Sequence, residues 1–242
     1  ASAITALKTN SAALGVVANN VANLNTPGYA RRIVNQQTLS AGGQLMGVDI
    51  ATIQRVSNQF MVQEQLAASG AASQFDTMAG LFSQLNGLLG SPGDNQSLAT
   101  QLTNLASAFA TASQAPTSSA GRTGVMNALN SLAQTFSNVS NTITSLRSQV
   151  DQQAVNSISS TNTLIKQVYD LNNQIRAAAA SGNGQPTALI DQRDVVLGDL
   201  AKVMGIKTST NADSSVNVST TDGVNLVSNT YAQLSYSGTA QN

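Results

Sequence analysis

Between Pro116 and Pro186 the chain carries an apolar seam that admits few folds. Val125, Leu129, Leu132, Phe136, Val139, Ile143, Leu146 and Val150 recur at steps of three and four. The seam weakens through Gln153, Ser157 and Ser160, then resumes at Leu164, Val168, Leu171 and Ile175. This spacing stacks its members along one face of an α-helix. It predicts one long helix over about residues 119–180, with a bend or a neighbour-facing surface at 151–161, stopped by Ser181-Gly182-Asn183-Gly184. Heptads sustained over this length argue for a coiled-coil-like rod rather than a compact globule.

A second heptad run reads Met61, Glu64, Ala68, Ala71, Phe75, Met78, Phe82, Leu85 and Leu89, and stops at the loop Gly90-Ser91-Pro92-Gly93-Asp94. Leu98, Leu102, Leu105 and Phe109 predict a helix over 97–114, closed by Pro116. Pro186 can open another over 186–204, with Leu197, Leu200 and Val203 on its face and Gly205 as its C-terminal cap. Residues 31–57 look extended. Val48 and Ile50 alternate while Gly42-Gly43 and Gly47 mark turns, so a short β-hairpin or irregular arm is expected. After 205 the period becomes two: Val216 and Val218, the turn Asp222-Gly223, then Val224, Leu226 and Tyr231 to Tyr236. The expected fold is mainly α, an elongated helical bundle or coiled-coil-like rod. A short extended or β-hairpin arm lies near 31–57, and a β region starts after 205. Three parts follow: residues 1–57 as N-terminal helix, turn and arm, 58–204 as the long-helix rod, and 205–242 as the start of the β region.

Composition narrows the chemistry. Hydrophobic residues are 41% and aromatics 4%, so the core must be aliphatic. Charged residues are 9%, against about 25% in ordinary domains. Net charge is zero, and so weakly repelling a surface favours association with many neighbours. The chain holds no Cys and no His, which excludes disulfides, the usual zinc sites and any triad that needs histidine. Absence of Cys suits a chain that crosses envelopes unfolded. No apolar run approaches the ~20 residues of a membrane span, so no membrane insertion is expected. Residues 1–18 are amphipathic and do not read as a signal peptide. The basic residues are scattered, which argues against nucleic acid as a partner. The chain opens on Ala1 and stops at Gly238-Thr239-Ala240-Gln241-Asn242 without an ending signal, so it is expected to be part of a longer protein.

The N-terminal segment shows Ile4, Leu7, Ser11, Leu14, Ala18 and Val21 at helical spacing. Only four of the six are strongly apolar, so this helix is marginal alone and needs partners. It runs into Asn19, Asn20, Asn23 and Asn25, then Thr26-Pro27-Gly28-Tyr29. Pro27 forbids continuation, and Pro27-Gly28 suits the centre of a type II turn. A helix terminator pinned by Tyr29 explains the turn. It explains three asparagines inside a helical pattern less well, because Asn costs helix propensity. A cluster of amides that both donate and accept suits hydrogen bonding to another chain, and that interface reading covers both features.

Catalysis has little support. Asp191 and Asp194 are three apart on a predicted helix, so a paired-carboxylate acid/base site is conceivable. The structural reading is stronger: acids in the first turns complement the helix dipole and pair with Arg193 or a nearby base. Gly182-Asn183-Gly184 lacks the lysine of a phosphate loop, and Asp213 and Asp222 lack calcium-loop spacing. No metal site and no cofactor are expected.

Asn19-Asn20-Val21-Ala22-Asn23 followed by Asn25-Thr26-Pro27-Gly28-Tyr29 resembles the N-terminal signature of bacterial flagellar axial proteins, the rod, hook and hook-associated proteins. Leu189-Ile190-Asp191-Gln192-Arg193-Asp194, followed by Leu197, Leu200 and Gly205, is similar to a segment of the hook-associated protein 1 family of hook–filament junction proteins. The likeness covers essentially the whole chain as the N-terminal part of such a protein.

The resemblance implies a structural adaptor ring between hook and filament, with no catalysis. Export would run unfolded through the flagellar type III apparatus to an extracellular position. The implied partners are further copies of the chain, hook protein, a second hook-associated junction protein and an export chaperone. In such proteins the N-terminal helix pairs with a C-terminal one in the innermost layer of a tube. A hook or rod protein is the alternative within the class. A secreted helical effector or adhesin is the alternative outside it.

Overall fold

The computed structural model describes residues 2–41, 44–90, 94, 97–181 and 185–238. The expected glycine turn at Gly42-Gly43, the loop residues Ser91–Gly93, the helix stop at Gly182–Gly184 and the last four residues lie outside the described residues, as does the side chain of Leu89. The order is α1 (Ser2–Ala22), β1 (Arg32–Ala41), β2 (Gln44–Arg55), α2 (Gln59–Leu89), α3 (Leu98–Gln114), α4 (Ser119–Ala180), α5 (Thr187–Val203), β3 (Ile206–Thr210), β4 (Val216–Thr220) and β5 (Asn225–Val227). The fold is mainly α with a small antiparallel sheet after α5, as the periodicities predict. The chain divides into two compact units, one of Ala1–Ser73 with Ile158–Ser235, the other of Gln74–Ser157 with Tyr236–Asn242.

The first unit holds the dense core. The sheet runs β3-β4-β5, antiparallel throughout. Val216 and Val218 of β4 alternate inward onto Ile165 and Val168 of α4 and Leu197 and Leu200 of α5. The strand β3 carries little alternation and went unseen in sequence. Along α4 the buried stripe is Thr161, Ile165, Val168, Asn172 and Ile175. Leu164 and Leu171, expected in the seam, stand half-buried on its flank. The helix passes unbroken through 151–161. Gly205 is not the expected left-handed cap. Met204, in extended conformation, ends α5, and the close approach here belongs to Gly70 of α2, where a Cβ would come within 2.9 Å of the Ala201 carbonyl oxygen.

The arm belongs to the same unit. β1 and β2 pair from Arg32↔Arg55 to Ala41↔Gln44, with register shifts after Asn35 and Leu39. Gly47 marks no turn. It sits within β2 opposite Leu39, at φ +143, where a Cβ would run into Thr5 of α1. The helix α1 lies on this hairpin and buries only Thr9 and Val16, the Thr9 hydroxyl donating to the Val48 carbonyl at 3.1 Å. The apolar seam points the other way. Ile4, Leu7, Leu14 and Val21 are 61–71% exposed.

In the second unit no residue of α3 is buried among the described residues. Ser97 caps α3, accepting from the Thr100 N–H at 3.2 Å. The α2 heptad run was expected to face a bundle. Its described members are exposed from Met61 to Leu85; α2 instead turns Val62 and Leu66 to the core of the first unit and, in the second, half-buries Leu81 and Leu88. All five phenylalanines of the chain are more than half exposed.

Candidate functional site: the joint between the arm and α5

Two short sequences, far apart in the chain, meet at the root of the hairpin. At the end of α1 the Asn23 amide donates to the Asn19 carbonyl at 2.9 Å, and Thr26 donates its hydroxyl to Asn23 at 3.2 Å. The Tyr29 N–H reaches the Thr26 carbonyl at 3.2 Å, and Gly28 takes φ +79, which is the type II turn expected of Pro27-Gly28. A Cβ on Gly28 would overlap Val195 of α5 and lie 3.0 Å from the Asp191 carbonyl oxygen. Glycine is therefore required twice, for its dihedral and for the approach to α5.

Asn20 binds the arm internally. Its Nδ2 donates to the Arg32 carbonyl at 2.8 Å, and its Oδ1 accepts from the Arg32 N–H at 2.9 Å and the Tyr29 hydroxyl at 2.8 Å. This asparagine was expected to serve another chain. Its bonding is instead satisfied within the fold, which explains an amide in the last turns of a helix. Asn19 and Asn25 make no side-chain hydrogen bond among the described residues, and both are exposed.

The charged part of the joint comes from Arg32, Arg55, Asp191 and Asp194. Arg32 and Arg55 are cross-strand partners at the hairpin root, and like charges placed so repel. Asp191 sits against both. Its Oδ2 accepts from Arg32 Nη2 at 2.8 Å and its Oδ1 from Arg55 Nε at 2.8 Å. Arg55 Nη2 also donates to Asp194 at 2.6 Å. These side chains are only 12–20% exposed, so solvent screens the links poorly. The guanidinium of Arg32 also lies 5.0 Å from the centre of the Tyr29 ring, within cation–π range.

The motif on α5 divides by helical period. Asp191 and Asp194 face the arm, whereas Ile190, Arg193 and Leu197 are buried. Neither acid lies in the first turn of α5, so the expected dipole pairing does not apply. Arg193 pairs with Asp194 as expected, at 3.9 Å, while the closer bases on the two acids are Arg32 and Arg55. Arg193 also donates to the Ser214 carbonyl at 2.6 Å and to Asn172 at 3.3 Å. Burial lowers its pKa, while nearby Asp194 opposes that shift. Leu189 is half-buried and Gln192 exposed. Both carboxylates are engaged by guanidinium groups, so the site holds geometry. No cluster of three metal-ligating acids occurs among the described residues.

Sequence reasoning missed Arg32 and Arg55, whose pairing depends on a hairpin register that no local pattern announces. It also missed a repeated device. Asn172 of α4 donates to the Val216 carbonyl at 2.8 Å and accepts from the Val216 N–H at 3.0 Å. Asn162 does the same with Leu234, at 2.9 and 2.8 Å. Asn20, Asn162 and Asn172 thus each hold both backbone groups of one residue in extended chain, as a neighbouring strand would. The available signal was asparagine at inward helical positions.

Residues 82–242 match the profile of the flagellar hook-associated protein FlgK helical domain, and residues 1–29 match that of the flagella basal body rod protein. Flagellar hook-associated protein 1 of Bacillus subtilis (strain 168) is 28% identical over 218 residues, covering 85% of this chain and 43% of its own length. The protein of that name from Salmonella typhimurium is 28% identical over 237 residues, covering 96% of this chain and 42% of its own. In structure, the flagellar hook junction protein FlgK from Burkholderia pseudomallei superposes with TM-score 0.63 and 26% identity, over 71% of this chain and 30% of that one. The chain spans about two fifths of the length of the curated relatives it matches. With a family profile covering well over half its residues, from 82 to 242, the chain belongs to the flagellar hook-associated protein FlgK family.

Proposed function

We propose that this chain works as a structural part of the bacterial flagellum, in an adaptor ring that joins hook to filament and assembles by helix packing. The observation that carries this is the inverted α1. It buries a narrow face, Thr9 and Val16, while its apolar seam, Ile4, Leu7, Leu14 and Val21, is left in solvent. A row of that kind is a helix-packing surface awaiting a partner. In this reading the arm of residues 1–57 enters the tubular layer, 58–204 forms the helical body, and 205–242 begins the outer β region. The partners are further copies, hook protein and a second junction protein, with a chaperone during type III export. The protein is extracellular and acts without catalysis or cofactor. Among the described residues no helix is long and apolar enough to cross a membrane.

Two substitutions on the seam test this. Leu7→Ser with Leu14→Ser removes apolar area already in solvent, so the chain should melt within about 1 °C of wild type, since exposed positions move stability little. Cells carrying it should keep hooks and lose filaments. Normal motility would overturn the reading.

A further inference from the structure

Gln192 and Asn19 have no task in the joint that surrounds them. Of the α5 motif, Asp191 and Asp194 bind the arm, and Ile190 and Arg193 enter the core. Gln192 is exposed, with no side-chain hydrogen bond among the described residues, and Asn19 at the end of α1 is the same. Both line one open cavity of about 300 Å³, with Pro27, Tyr29 and Val195 as its apolar walls. Three helix asparagines share one use in this fold, though others, such as Asn156 and Asn173, accept from neighbouring side chains instead. Asn20, Asn162 and Asn172 each take both backbone groups of one extended residue.

We propose that Asn19 and Gln192 form an amide clamp for extended backbone, and that the backbone comes from the hairpin edge of a second copy of this chain. The chain supplies such an edge. β1 and β2 form a two-stranded sheet, so each has one side without a strand neighbour. In an antiparallel pair every second residue turns both its N–H and C=O to that open side, which is the pair of groups a carboxamide satisfies. Asn20 already takes both backbone groups of Arg32 and Thr9 the Val48 carbonyl; the rest of each strand edge, without a strand neighbour, is a surface that must be covered or recruited. The apolar walls would take one side chain of the incoming strand, and the two amides would fix its register. The inference rests on the reading that copies of the chain assemble together, and it names the contact by which the joint of one copy holds the arm of the next.

The absence of native cysteine makes the contact directly readable. Gln192→Cys would be combined, in the full-length protein in cells, with Thr38→Cys on β1 or Thr52→Cys on β2. An intermolecular disulfide in assembled junctions, with one of the two partners and not with either single variant, is the expected result. Asn19→Ala with Gln192→Ala should leave the melting curve unchanged and lower junction assembly at least tenfold. No disulfide with either strand, or a disulfide from position 192 to hook protein instead, overturns the proposal, and so does normal assembly of the double alanine variant. If that variant assembles normally while the Leu7→Ser, Leu14→Ser chain does not, the clamp fails and the adaptor reading stands. If both assemble normally, both fail.

Discussion

Asp191→Ala isolates what the joint contributes. The carboxylate accepts from Arg32 and Arg55, each at 2.8 Å and each partly buried. Charge-assisted bonds of this kind contribute about 1.5–3 kcal/mol each, and the lower figure suits groups that keep some water, so their loss costs about 3 kcal/mol. The two guanidinium groups would then face each other across the hairpin root, adding a few tenths of a kcal/mol. A two-stranded hairpin is marginal alone, and α1 buries only Thr9 and Val16, so loss of the anchor on α5 should let the hairpin open. A change of 3 kcal/mol corresponds to roughly 150-fold in the opening equilibrium. Amide hydrogen exchange reads this directly. Amides of β1 and β2 should exchange about 100-fold faster, while those of Val216 and Val218 in β4 keep their wild-type rates. Asp191→Asn retains one acceptor and should fall between. Unchanged exchange in the hairpin would refute the anchoring role, and an equal rise in β4 would show that the residue serves global stability instead.

Gly28→Ala should cost about 1–2 kcal/mol for the left-handed dihedral alone, with more from the Val195 contact and the Asp191 carbonyl. Chemical denaturation should show the loss, and it should shrink when Val195→Ala is added. Asn172→Ala leaves the N–H and C=O of Val216 buried without their partner. Two orphaned groups at about 1–3 kcal/mol each predict a fall in melting temperature larger than for any surface substitution discussed here, and restored stability in that variant without a compensating change would contradict the pairing. Ser215 donates its hydroxyl and its N–H to Asp213, holding that carboxyl below the usual carboxylate range in the folded chain. A lowered folded pKa contributes stability that is present above the unfolded value and lost as pH falls through the folded one. Asp213→Asn should therefore lower stability at neutral pH and flatten the acid limb, the two chains converging once pH falls below the folded value, as a pH series of thermal melts would show.

Local order was readable where a repeating pattern stated it. The long α4, the Pro27-Gly28 turn and the β4 alternation all follow from spacing. The phase of a helix was less readable. Leu164 and Leu171 carry more apolar bulk than Thr161 and Asn172, yet the latter pair is buried. Asn172 is inside because its amide completes β4, and Thr161 because it lies on the same stripe. Hydrophobicity ranks side chains by transfer from water and has no means to credit a polar group whose partner is a strand 44 residues away. The joint was half visible for the same reason. Asp191 and Asp194 stood out as a pair, but their partners are set by the register Arg32↔Arg55, a tertiary fact.

The arrangement of α1 follows from the same competition between internal and external partners. A helix that buried Ile4, Leu7, Leu14 and Val21 against its own hairpin would be stable and would have nothing left to offer a partner. Here the hairpin takes Thr9, Val16 and the amide of Asn20, contacts that fix position with little apolar area. The strength of the arm then depends on the ion pairs at its root more than on its own packing. An arm held at one end by Asp191 and Asp194 keeps a defined direction while its apolar face stays available. Binding in that state loses less freedom than ordering an unfolded segment would. Asp191→Ala should accordingly slow junction assembly more than it lowers the stability of the helical core, whereas Leu7→Ser with Leu14→Ser should abolish assembly without touching the core at all. Equal ranking of the two variants in both assays would show that direction and adhesion are not separately encoded.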